Sequence, residues 1–147
     1  MRVLPFPAWW LGVGGLVPFA VATAVVLAGP PGWQAAALRS LLAYGAAILA
    51  FLGAVHWGLA LGEPSSSSVS AWRLGLGVLP ALIGWVALLL PATAAVAVLI
   101  VAFVSVWSVE EWASRRGLVP RAYLPLRRVL TGSVVALLAS VLAARLS

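Results

Sequence analysis

Long apolar runs, separated by short breaks rich in proline, glycine or serine, set the organisation of this chain. The hydrocarbon core of a bilayer takes about 20 residues of helix, and a first run over residues 8–28 has that length. Gly29-Pro30-Pro31-Gly32 stops it, because two prolines and two glycines do not continue a helix. A second run covers residues 41–61 and ends at Gly62-Glu63-Pro64 and the serines at 65–68. A third stretch, residues 74–109, would measure about 54 Å as one helix, nearly twice a hydrocarbon core of about 30 Å. It must fold back, and Pro91 is the good breaker, which predicts spans over 74–90 and 92–109. A last run, 129–146, follows Pro120 and Pro125. The pattern predicts an all-α membrane bundle of about five spans in a single domain, residues 1–147. A cleaved signal peptide is the alternative for the first run, but the apolar stretch continues past the conceivable site at Ala22–Ala24, so a retained helix is expected.

Composition agrees. Of 147 residues, 64% are hydrophobic and 8% charged, against about half and a quarter in soluble domains. A globule of this size has too much surface to bury such an excess. The charged set is nine Arg and three Glu with one His, and Lys, Asp, Asn and Cys are absent. Without cysteine there is no disulfide framework and no thiolate chemistry. The net charge of +6 does not point to nucleic acid, because the arginines sit at the ends of apolar runs rather than along a basic stripe.

Their distribution predicts orientation. With five spans, Arg2, Arg73, Arg115, Arg116, Arg121, Arg127 and Arg128 share one side, and Arg39 and Arg145 the other. The positive-inside rule then places the N-terminus in the cytoplasm and the C-terminus outside, which for a bacterial inner-membrane protein is the periplasm. Trp9, Trp10, Trp72, Trp112 and Tyr123 fall near the inner interface and Trp33 near the outer one, as an aromatic belt does. Trp10, Gly15 and Pro18 align without gaps on Trp72, Gly77 and Pro80, an echo that either duplicated hairpins or chance would give.

His56, the sole histidine, lies within the second span. An ionisable group there is costly in lipid and usually faces a bundle interior or cavity. It could be an axial ligand, a proton carrier or a ligand's hydrogen-bond partner; equally, it could bond a neighbouring helix. Ala46, Ala50 and Gly53 form a small-residue stripe beside it. Glu110 and Glu111 end the fourth span at similar depth and could add to a polar wall, although Glu111 and Arg115 are also spaced for an ordinary surface pair. The arginines of 115–128 could hold an anionic lipid headgroup or simply encode orientation. Paired aspartates, HExxH, GxSxG and a phosphate-binding loop are all missing. One histidine without Cys or Asp makes no ordinary zinc site. No catalytic residue and no metal site are therefore expected.

Phe51-Leu-Gly-Ala-Val-His56-Trp57-Gly58-Leu-Ala-Leu, preceded by Tyr44-Gly45, resembles a signature of a family of small multi-span proteins of unknown function found in proteobacteria and mitochondria, transmembrane protein 69-like. Gly15-Leu-Val-Pro18-Phe19, Pro80-Ala-Leu-Ile-Gly-Trp85 and Tyr123-Leu-Pro125-Leu-Arg127-Arg128-Val-Leu-Thr131 agree with it. Ala50 departs from the serine that the resemblance leads one to expect before Phe51. The family brings no activity, so the resemblance implies a membrane location and marks positions. Those positions suggest a site between spans two and five toward the cytoplasmic side. His56, Arg127 and Thr131 would form its polar wall, and Trp57 and Tyr123 its stacking surface.

These features lead one to expect a non-enzyme that binds a small amphipathic molecule: a tetrapyrrole, a quinone or an anionic lipid. An accessory or assembly role with a membrane-protein partner or a second copy is the alternative, because spans two and five are rich in small residues (Gly132, Ser133, Ala136, Ala139, Ser140, Ala143) that suit helix docking. A transporter is a further alternative, weakened by having one ionisable group deep in a span.

Overall fold

The computed structural model describes residues 6–61, 68–116 and 124–147. Helices run over α1 (Phe6–Gly14), α2 (Val17–Ala28), α3 (Pro31–Leu61), α4 (Ser68–Leu89), α5 (Ala92–Arg115) and α6 (Leu124–Leu146), and no strand occurs among the described residues. Four stretches, Trp9–Ala28, Pro31–Gly58, Ala92–Arg115 and Leu124–Leu146, are long and apolar enough to cross a membrane, with Arg73–Leu89 a shorter fifth. The molecule is an all-helical membrane protein.

The breaks at Gly15–Leu16 and Pro91 have covalent causes. The first span splits at Gly15–Leu16, where two glycines precede Pro18, which stands in the first turn of α2 and has no N–H to give. The break frees backbone carbonyls, and Gly15 O accepts the Tyr44 hydroxyl from α3 at 3.0 Å. Tyr44 then packs edge-on against Phe19, whose ring meets Phe103 of α5 in the same way. Pro91 separates α4 from α5 as the sequence predicted. Pro80, the counterpart of Pro18 in the internal echo, lies inside a continuous α4 instead.

Four helix limits differ from the sequence expectation, among them the third span, which starts at Ser68 and not near residue 74. The second span starts at Pro31, not near residue 41, and the last at Leu124, not near 129. Both corrections have one reason: a proline in the first helical turn gives up an N–H that has no intrahelical partner anyway, so it starts a helix as readily as it stops one. Pro31 and Pro125 occupy those turns. The fourth span also runs on past residue 109 to Arg115, which brings Glu110 and Glu111 into regular helix.

Neighbour relations close the bundle into a ring. The α1–α2 span lies between α3 and α6, α4 lies between α3 and α5, and α3 also touches α5 across the middle. The crossing of α3 on α4 is made by absent side chains. A β-carbon on Gly53 would strike the Gly77 carbonyl oxygen, and one on Gly77 would strike the Trp57 ring. Leu41, Leu49, Val96, Leu99, Phe103 and Leu138 fill the centre, while Trp10, Leu11, Phe51, Trp85 and Val101 face outward, as lipid permits.

Candidate functional site

At the arginine-rich end of the bundle the apolar interior gives way to a polar cluster. His56 of α3, Glu110 and Ser114 of α5, and Arg127 and Thr131 of α6 are all almost fully buried. Helical spacing groups them: Ser114 is one turn from Glu110, and Thr131 one turn from Arg127, on the same faces. Arg127 donates from Nε to Glu110 Oε2 at 2.6 Å. The other carboxylate oxygen, Oε1, lies 3.8 Å from His56 Nε2, close enough for electrostatics and too far for a hydrogen bond. Arg73 of α4 is buried as well, with its charge near enough to act on His56. Four helices thus contribute ionisable groups to one interior region.

Burying a carboxylate and a guanidinium costs free energy, which their mutual contact offsets only while both are present. The hydrogen bonding is unfinished. Among the described residues, His56 Nδ1, Glu110 Oε1, Ser114 Oγ, Arg127 Nη2 and Thr131 Oγ1 are buried without a partner. Native interiors leave few such atoms, and clusters of them mark places where water or a ligand belongs.

Two apolar crevices flank the cluster. One, of about 200 Å³, is bounded by His56, by Leu76, Pro80 and Ile83 of α4, and by Ala102 and Val106 of α5. The other, of about 130 Å³, runs past Gly12, Phe19, Phe51, Phe103 and Leu130 to Arg127. Glu110 lies between the two and bounds neither.

The remaining sequence candidates separate from this centre. Glu111 turns outward and takes Arg128 of α6, which donates from Nε at 3.2 Å and from Nη2 to the second oxygen. Trp57 is half-exposed, with Nε1 donating to Leu74 O of α4 at 3.0 Å and its ring laid against Gly77. Tyr123 lies outside the described residues.

The family description "Protein of unknown function (DUF3429)" matches residues 4–143, so the match runs through the polar cluster and both crevices. The chain belongs to this family. Among relatives of this DUF3429 protein, Transmembrane protein 69 of Xenopus tropicalis is 38% identical over 89 residues, which is 60% of this chain and 35% of that protein. Transmembrane protein 69 of Mus musculus is 33% identical over 85 residues, 58% of this chain and 34% of that one. The chain spans about a third of the length of these relatives. No solved structure matches it.

Within this DUF3429 chain, sequence reasoning reached His56, Glu110, Arg127 and Thr131, and the fold gathers them. It missed Ser114, although a serine four residues after Glu110 was a readable signal, and it counted Arg73 only as an orientation charge. No group of three or more His, Cys, Asp or Glu gathers for a metal among the described residues. His56 and Glu110 alone could offer two ligands.

Proposed function

We propose that this protein binds a small amphipathic molecule at the His56–Glu110–Arg127 cluster, and that it is not an enzyme. The observation that carries this reading is the set of unpartnered buried polar atoms between two apolar crevices. Polar atoms would hold a head and a crevice would hold the apolar part. A few placed polar groups in an otherwise apolar cleft is the usual composition of a small-molecule site. A tetrapyrrole, a quinone and an anionic lipid are the classes that aromatic walls with His and Arg admit. The arginine distribution supports an inner-membrane location with the cluster toward the cytoplasm, the first residue inside and the last outside.

The test is an absorption spectrum and a native mass spectrum of the protein purified from its own membranes in mild detergent. A visible band or a fixed extra mass is expected, lost in His56→Ala and kept in Glu111→Gln. Protein of bare mass, with no bound molecule in organic extracts, would count against the reading.

One observation favours a second reading, an assembly role. Gly132, Ala136, Ala139, Ser140 and Ala143 of α6 all face outward. Such a face lets another helix approach closely. A stoichiometric membrane partner that co-purifies in mild detergent and is lost in Ala136→Leu would support it.

A further inference from the structure

The proposed site leaves the ligand class open, and the crevice beside His56 narrows it. Its volume of about 200 Å³ is below the roughly 300–1,000 Å³ of sites that enclose a drug-sized molecule. One substituted six-membered ring or one hydrocarbon chain fits; a macrocycle does not. The charges around His56 are Glu110, with Oε1 3.8 Å from Nε2, and the buried Arg73 and Arg127; Arg127 already donates to Glu110. A neutral head adds no further charge to this poorly screened interior.

Hydrogen-bonding capacity points the same way. A neutral imidazole has one donor and one acceptor nitrogen, and His56 Nδ1 is without a partner among the described residues. Depending on tautomer it gives a hydrogen bond to a carbonyl or takes one from a hydroxyl. Pro80, inside α4, has no N–H for the carbonyl of Leu76 four residues back. Leu76 and Pro80 both bound this crevice. Ser105 also lines the crevice, whose remaining walls are apolar, and Leu79 and Ile83 are exposed on the lipid-facing surface, so a tail can leave into the bilayer.

Resting on the ligand-binding reading, we infer that the crevice between α3, α4 and α5 takes the ring of an isoprenoid quinone or its quinol, with a ring oxygen on His56. The two oxidation states share one shape and differ in whether the oxygen accepts or donates. An imidazole with one donor and one acceptor nitrogen serves both.

The protein in phosphatidylcholine nanodiscs is titrated with a benzoquinone bearing a decyl tail, followed by tryptophan quenching. Trp57 and Trp107 adjoin lining residues in sequence and report occupancy. Saturable quenching is expected, weakened at least tenfold in His56→Ala and in Ile83→Phe, which fills the crevice from its lipid side. Val21→Phe, on the outward face of α2, should leave the affinity unchanged. Ile83→Phe keeps the test decisive if His56→Ala does not fold. Equal affinity in Ile83→Phe overturns the inference, as does displacement of the quinone by phosphatidic acid added to the nanodiscs. An extra mass of another chemical class in the native spectrum overturns the quinone assignment while the ligand-binding reading stands. Absence of any bound molecule and of saturable quenching removes both.

Discussion

Glu110–Arg127 and Glu111–Arg128 are two rungs of one ladder between α5 and α6, made by consecutive residues on each helix. The side chains of the first are 1% and 4% exposed, those of the second 17% and 54%. Successive residues on a helix point about 100° apart, so a doubled acidic pair facing a doubled basic pair must divide its rungs. One enters the bundle and one leaves it. Identical chemistry therefore supplies an interior site component in one rung and a surface tether in the other. Residue type alone does not assign the roles; the direction of the core does.

The comparison can be broken most decisively at the buried rung. Glu110→Ala or Arg127→Ala strands a charge, and each should cost about 3–5 kcal/mol in detergent thermal-stability measurements. The paired Glu110→Leu, Arg127→Met variant should regain most of that loss, since no charge is left unpaired. A double variant as unstable as either single one would mean that the rung is held by more than charge compensation.

An uncharged contact calibrates the scale. Gly77→Leu drives a side chain into the Trp57 ring and the backbone of α3, and should cost about 1–3 kcal/mol by overpacking. A loss exceeding that of Arg127→Ala would place the main constraint in the α3–α4 crossing. His56→Leu keeps the buried rung and removes a group whose Nδ1 has no hydrogen bond among the described residues. It should change stability by about 1 kcal/mol or less, so a larger fall would show that His56 supports the rung.

The smallest effect belongs to the outer rung. Glu111→Gln and Arg128→Gln should shift the melting temperature barely, and 0.5 M salt should remove the difference from the parent protein. Salt should leave the penalty of Arg127→Ala nearly intact, because buried pairs are screened far less. Equal salt sensitivity of the two rungs would erase the distinction between them.

The same geometry explains what could be read from the chain. Membrane class and the break at Pro91 were legible because long apolar runs and an isolated breaker carry them. The starts at Pro31 and Leu124 were not, because a proline signals a helix's first turn and its interruption alike. In α5 the inward line Val96, Leu99, Phe103 leads at helical spacing to Glu110. That line was hidden because lipid leaves the outward face apolar too, so hydrophobic periodicity loses its contrast. Arg73 was hidden for another reason: a basic residue near a span end fits the orientation rule whether it faces headgroups or turns inside.

The length of α3 has a bearing on sidedness. From Arg39 to His56 is 17 residues of the unbroken α3 helix, about 26 Å of rise, more than half of a hydrocarbon core of about 30 Å. His56 consequently belongs to one leaflet. In the proposed binding role, a ligand enters from the half of the bilayer nearest the bundle's arginine-rich end.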